Sequence, residues 1–89
     1  SDAIRLYDSD PDKAIYGFRQ ALKADPYNAN AHAWLAAELY NQGRIPGLQQ
    51  ELREAHRLGL VMQMMKNARF RQAFNKARFN RQLPGELAE

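Results

Sequence analysis

Two stretches of this sequence repeat one pattern of side-chain size at an offset of 34 residues. The matched positions are Ala14 with Leu48, Phe18 with Leu52, and Ala21 with Ala55. They keep the spacing of one helix face rather than residue identity. A period of about 34 residues is typical of stacked helical hairpins, since each hairpin buries its apolar face only against a neighbour. The sequence therefore favours an all-α chain of antiparallel helical hairpins.

Helix-capping residues divide residues 10–59 into three helices. Asp and Asn side chains accept hydrogen bonds from the free N–H groups of a first turn, and Pro is compatible with that turn. Gly adopts the left-handed conformation that ends a helix, and a residue before Pro is pushed out of the helical region. The predicted boundaries are Asp10-Pro11 and Asp25-Pro26, then Asn28 and Gly43, then Pro46 and Gly59. Ahead of them, Ala3 to Tyr7 predicts a short or truncated helix.

Three motifs carry a family resemblance. The first is Ala14-x3-Phe18-x2-Ala21-Leu22-x2-Asp25-Pro26. The second is His32-x2-Leu35-Ala36-x2-Leu39-Tyr40-x2-Gly43, and the third is Leu48-x3-Leu52-x2-Ala55. On these residues the chain resembles the tetratricopeptide repeat, with His32 in place of a bulky aromatic residue and Ala36 in place of a small Gly. The resemblance covers roughly residues 1–60.

The resemblance implies about two repeats over residues 1–60, the first of them truncated at its N-terminus, in a fragment of an α-α solenoid. Residues 61–83 are then expected to form basic capping helices, and residues 84–89 a tail. Because so few repeats leave an open solenoid end, we expect this stretch to be cut from a longer protein. An open end also makes end-to-end homo-oligomers an expected form of assembly.

The same resemblance implies a scaffold that binds a peptide segment or partner protein in a concave groove. The first helix of each repeat lines that groove, with the start of the basic segment at its border. The groove candidates are Tyr7, Asn30, Ala33, Ala37, Tyr40, Asn41, Lys66 and Arg69. Tyr40 fits packing between repeats equally well, and Trp34 is expected against the neighbouring helix. Repeats that clamp a terminal carboxylate place Asn where this chain has Ala37, so that function is not indicated.

Residues 61–85 contain six cations and no Asp or Glu, although the whole chain has a net charge of only +3. These cations are Lys66, Arg69, Arg71, Lys76, Arg78 and Arg81. In one interpretation, Met64, Met65, Phe70, Phe74 and Phe79 cover the last repeat and the cations are its solvated side. In the alternative, the cations contact phosphates of nucleic acid or an anionic membrane while Phe side chains stack or insert. A third interpretation is uptake of this Met-containing basic helix by a partner's groove.

The apolar residues of this segment change sides along the chain. Val61, Met64 and Ala68 share one helical side, whereas Phe70, Ala73, Phe74 and Ala77 share nearly the opposite one. We therefore expect a helix break near Asn67-Ala68. The runs Ala68-Arg69-Phe70-x-Gln72 and Ala77-Arg78-Phe79-x2-Gln82 echo each other, and they resemble the short helical turns, each held by an Arg-Phe pair, that close many tetratricopeptide arrays.

The sequence indicates no catalytic, metal or cofactor chemistry. His32 and His56 are the only histidines, neither has a second ligand type at i+4, and the chain has no cysteine. Asp8, Asp10 and Asp12 lack the Gly and closing Glu of a calcium loop, so capping explains them better. No nucleophile elbow or Gly-rich phosphate loop occurs. No signal peptide and no apolar run of about 20 residues is present, and the compartment is not indicated.

Overall fold

The computed structural model describes residues 9–88, and over this range the chain is helical with no strand. The helices are α1 (Pro11–Ala24), α2 (Ala29–Asn41), α3 (Ile45–Arg57), α4 (Val61–Met64) and α5 (Ala68–Phe79), followed by a 3-10 turn at Gly85–Leu87. The predicted all-α class is confirmed. The short helix expected at Ala3 to Tyr7, and with it Tyr7, lies outside the described residues.

Helix boundaries follow the predicted capping residues. The side chains of Asp10 and Asn28 accept hydrogen bonds from the N–H groups three residues later, at 3.3 Å and 3.0 Å. Gly43 and Gly59 follow the ends of α2 and α3 with φ of 70° and 75°. The predicted break near Asn67-Ala68 is confirmed as well, because Asn67 caps α5 through the N–H of Phe70 at 3.0 Å.

Helix α2 lies at the centre of the fold and contacts each of the other four α-helices. Eight of its 13 residues are buried. Three of them, Ala33, Ala36 and Ala37, have no exposed surface, and such small side chains let neighbouring helices approach closely. On the α1 side, the ring of Trp34 stacks on Phe18 with 6.2 Å between centroids, which confirms that Trp34 lies against the neighbouring helix.

The basic segment folds as a cap, with one exception. Met64, Phe70 and Phe74 are buried in the core and Met65 packs against it, as the capping interpretation predicts. Phe79 is 87% exposed, so its expected place in the cap is wrong. The residues 68–79 form one continuous helix in place of two short turns, and a residue nine positions after Phe70 points to the opposite side of it.

Helix α5 runs parallel to α2, with matching ends in contact. At the start of both helices, the amide of Asn67 donates to Asn30 Oδ1 at 3.2 Å. At their ends, the amide of Asn80 donates to the hydroxyl of Tyr40 at 3.5 Å. The residues after α5, expected as a tail, then return to α3, where Glu86 lies 3.8 Å from Arg53. The C-terminal residues therefore pack onto the same core.

Candidate functional site

The face of α2 that was expected to line an open groove is covered by α5. Asn30, Ala33, Ala37 and Tyr40 share one side of α2, and the residues at its two ends are hydrogen bonded to α5 and its flanks. Between them, Ala33 and Ala37 have 0% exposed surface. The prediction placed both alanines on an accessible surface, whereas the structure places them beneath the chain's own C-terminal helix.

The remaining groove candidates lie at the margins of α5. Asn30 and Lys66 border a shallow cleft of about 290 Å³ between α2 and the turn that joins α4 to α5. Tyr40 is half-buried beside Asn80, which favours its packing role, while Asn41 and Arg69 are exposed. The structure thus brings Asn30 and Lys66 together but leaves no continuous groove along this side of α2.

A different concave surface, here called the trough, runs between α1 and α3. Its floor comes from another face of α2 and its walls from the two flanking helices. The lining residues are Arg19, Leu22, Lys23, Pro26, His32, Leu35, Glu51, Glu54 and Leu58. The trough encloses about 350 Å³ and shares Arg19, Glu51 and Glu54 with an adjoining cleft of about 650 Å³. The two spaces form one continuous depression.

His32 joins three parts of the trough. Its side chain is almost fully buried, and Nδ1 contacts a carboxylate oxygen of Glu51 on α3. Nε2 lies 2.7 Å from the carbonyl oxygen of Pro26 in the turn before α2. Both ring nitrogens therefore face oxygen acceptors, and the doubly protonated imidazolium is the form that donates to both.

The pKa of His32 reflects two opposing effects. Burial lowers the pKa, because it disfavours the charged ring. The hydrogen bonds to Glu51 and Pro26, with a weaker attraction from Glu54, outweigh burial, so that the pKa of His32 is raised above its ordinary value. When His32 is protonated, the bond between α2 and α3 is a charge-assisted one.

The two walls of the trough differ in their remaining charge. On α3, Glu51 is engaged by His32, and Glu54 Oε2 lies 2.6 Å from Arg57 Nη2, a bond that lowers the pKa of Glu54. On α1, Arg19 and Lys23 form no ion pair with any carboxylate in residues 9–88. The trough thus combines the partly exposed apolar side chains of Leu22 and Leu58 with two cations on one wall that pair with no carboxylate of residues 9–88.

Sequence reasoning missed the trough because it treated His32 only as a substitute for a packing aromatic residue. One signal was present. Glu51 falls on the apolar stripe of its helix, between Leu48 and Ala55, where a carboxylate needs a partner. An ion pair of this kind can be predicted when two helices are known to pack and each has one ionisable residue, a His or a Glu, on its buried face.

The basic candidates are all exposed, and they differ in their contacts. Arg71 donates to the carbonyl oxygen of Met65 at 2.7 Å, and Arg78 donates to Asn75 Oδ1 at 3.2 Å. The Arg78 guanidinium also lies 6.0 Å from the ring centroid of Phe74, in place of the expected pairing with Phe79. Lys66, Lys76 and Arg81 extend into solvent around them.

No protein-family model, curated protein or solved structure matches this chain. Within residues 9–88, no three His, Asp or Glu side chains are grouped so that they could hold a metal ion. The same part of the chain contains no helix with the length and apolarity to span a membrane. Two surfaces of the described chain are therefore the candidates for binding: the trough and the exposed cations of the C-terminal segment.

Proposed function

We propose that this chain is a non-catalytic binding module of tetratricopeptide-like hairpins that takes a peptide segment of a partner protein into the trough. One observation carries the proposal: the partly exposed side chains of Leu22 and Leu58 lie beside Arg19 and Lys23, two exposed cations that form no ion pair with a carboxylate of residues 9–88. Binding sites commonly pair an apolar surface with a few polar groups that orient the ligand. This replaces the concave groove as the expected binding surface, because α5 lies on that side of α2.

The chemistry of the trough specifies its peptide. Leu22 and Leu58 are partly exposed and offer apolar contact to aliphatic or aromatic side chains, above the buried Leu35. Arg19 and Lys23 favour a carboxylate on the same segment, and unlike charges across an interface fix the register of a bound chain. The partner segment therefore combines apolar residues with Asp or Glu.

The helices around the trough hold it in one conformation, so little conformational freedom is lost on binding. Its floor and walls belong to three helices, and the His32–Glu51 bond ties α2 to α3 directly beneath the site. Surfaces held in their binding conformation lose less conformational entropy when a ligand docks. The helical hairpin serves here as a rigid frame, and the proposal assigns no catalytic group to it.

An NMR titration tests this function. The probes are two short peptides with blocked termini, one alternating Leu with Asp and one alternating Leu with Lys. We expect the acidic peptide to shift the amide signals of Leu22, Leu35 and Leu58, and the basic peptide to bind more weakly. Reversing both wall charges, with Arg19→Glu and Lys23→Glu, is expected to weaken binding of the acidic peptide about tenfold.

Lys13→Glu is the matched control for each of the two reversals made singly, because Lys13 also lies on α1 but does not line the trough. It should leave binding of the acidic peptide unchanged. The proposal fails if neither peptide shifts the trough signals, or if the charge reversal and the control weaken binding equally. Shifts confined to Asn30 and Lys66 would place the peptide on the other side of α2 and also contradict it.

A further inference from the structure

The exposed cations of the C-terminal segment are in excess over the acids around them. Lys66, Arg71, Lys76, Arg78 and Arg81, here called the basic face, pair with no carboxylate in residues 9–88. The nearby acid Glu86 is 3.8 Å from Arg53, and Glu54 is held by Arg57. Elsewhere, Asp10 and Asp12 lie within 4 Å of Lys13 and Arg44. Among residues 9–88, the basic face is therefore a concentrated positive surface without paired carboxylates.

Helix α5 arranges part of this surface in two rows. Arg71 and Arg78 are seven residues apart on one flank of the helix, and Arg69 and Lys76 repeat that spacing on the other. Seven residues correspond to about two turns, or about 10 Å along the helix. Phe79 projects from the side between the rows and is 87% exposed. An exposed aromatic ring is thus flanked by cations.

The backbone at Arg81 departs from the pattern at the ends of α2 and α3. Three helices end with the same pair of backbone hydrogen bonds, and the residue after each C-cap has positive φ. Gly43 and Gly59 fill this place after α2 and α3, whereas Arg81 fills it after α5 with φ of 58°. A non-Gly residue is disfavoured in this conformation, and such residues often mark functional sites.

We propose that the basic face binds single-stranded nucleic acid, with its Lys and Arg side chains on phosphates and the Phe79 ring stacked on an unpaired base. Arg and Lys neutralise a phosphate backbone, and an exposed aromatic ring stacks on any base that is not paired. The site goes beyond the peptide-binding function, since it uses none of the residues that line the trough.

The burial of α5 distinguishes this ligand from an anionic membrane. An amphipathic helix binds a bilayer by inserting its apolar face, with the cations at the headgroups. In this chain the apolar face of α5, formed by Phe70, Ala73, Phe74 and Ala77, is buried in the core. Only the polar side with Phe79 is left to meet a ligand, and that side suits phosphates and bases.

Fluorescence anisotropy of the 89-residue chain with a labelled oligodeoxythymidine of about 15 nucleotides tests the proposal. Binding should weaken steeply as salt rises from about 50 to about 200 mM, with log Kd linear in log salt. The variant Lys66→Gln with Lys76→Gln should reduce that slope by about 1.4, or about 0.7 per phosphate contact. Lys13→Gln with Arg44→Gln removes the same charge beside the start of α1, where Lys13 and Arg44 lie near Asp10 and Asp12, and should leave the slope unchanged.

Two single variants separate this site from a purely electrostatic or structural role. Phe79→Ala should weaken binding about 5- to 150-fold, as expected for the loss of one stacked base. Arg81→Gly should weaken binding while raising the melting temperature, because Gly relieves the positive φ and removes the cation. A residue with only a structural role would change the melting temperature alone.

Each of the following results would overturn the proposal. The oligonucleotide does not bind at about 50 mM salt, where phosphate contacts are strongest. The control variant loses as much of the salt slope as the basic-face variant. Phe79→Ala has no effect, or vesicles of anionic phospholipid compete for the chain more strongly than unlabelled oligonucleotide does.

Discussion

At the scale of single residues, the side chain of His32 has two roles: it packs in the fold, and it pairs with Glu51. The tetratricopeptide resemblance places a bulky aromatic residue there, and the imidazole fills the space while its two ring nitrogens contact Glu51 and the carbonyl oxygen of Pro26. Removal of His32 alone would leave the Glu51 carboxylate largely buried with no cation beside it. The loss of one partner from such a pair commonly costs about 3 kcal/mol.

The raised pKa of His32 predicts that stability falls with increasing pH. A group whose pKa is higher in the folded state contributes its full stabilisation below the unfolded value of 6.5, and this contribution is lost as pH rises through the folded value. Urea unfolding between about pH 5.5 and about pH 8.5 should therefore show a decreasing free energy of unfolding. The double variant His32→Phe with Glu51→Met should lose this pH dependence. A wild-type free energy that is constant over the same interval would contradict the charged pair.

Sequence alone predicted the residues that begin and end the helices but not the residues that break a local rule. Asp10 and Asn28 were identified because their side chains accept hydrogen bonds from the first turn of a helix. Gly43 was identified because Gly adopts the left-handed conformation that follows a helix end. Arg81 was not, since nothing in an Arg side chain signals positive φ. Phe79 was misplaced because two similar runs nine residues apart face opposite sides of one helix.

At the scale of elements, α5 makes the strongest test of the core. Phe70 and Phe79 are the same residue type on one helix, and the first is fully buried while the second is 87% exposed. Both lie away from the trough. Their substitution therefore compares burial with exposure in a single secondary-structure element.

Phe70→Ala should destabilise the fold by about 3–5 kcal/mol, because it removes a buried ring and leaves a cavity. Phe79→Ala should change stability by less than about 0.5 kcal/mol, as expected for an exposed side chain. Thermal unfolding followed by circular dichroism measures both. Equal losses in the two variants would show that α5 does not pack on the core through the Phe70 side.

The sequence predicted a helix break before Ala68 and the shared side of Phe70, Ala73, Phe74 and Ala77, but it predicted neither one continuous helix nor what that helix covers. An apolar stripe predicts which side of a helix is buried, but it does not identify the helix that packs against that side. Ala33 and Ala37 offered the same small surface to a peptide groove and to a packed helix. Only the contacts of Asn67 with Asn30 and of Asn80 with Tyr40 distinguish the two arrangements.

At the scale of the whole molecule, the other helices are organised around α2. The trough exists because α1 and α3 both pack on α2 and leave its His32–Leu35 surface between them. That arrangement depends on how three helices meet, so single-helix periodicity could not predict it. The uneven distribution of charge along the chain was visible in the sequence. Only the structure shows that acidic side chains pair with cations outside the basic face and that none in residues 9–88 pairs with the basic face itself.

The central place of α2 predicts the pattern of hydrogen exchange. Backbone amides from Leu35 to Leu39 lie in the most buried segment of the described chain and should exchange only through global unfolding. Amides of the four-residue helix α4 and of the turn at Gly85–Leu87 should exchange through local opening. Exchange followed by NMR at increasing urea measures both. Faster exchange in α2 than in α4 would contradict the central role.

The parallel placement of α5 also orders the steps of folding. The contact between His32 and Glu51 closes a loop across 19 residues, whereas those of Asn30 with Asn67 and of Tyr40 with Asn80 span 37 and 40. Longer closures cost more chain entropy, and they are rewarded only after the surface they meet has formed. We therefore expect the α2–α3 hairpin to form early and α5 to dock late. During synthesis, too, α5 emerges only after α1 to α4, so the alanine face of α2 stays exposed to water while the contacts among the earlier helices form.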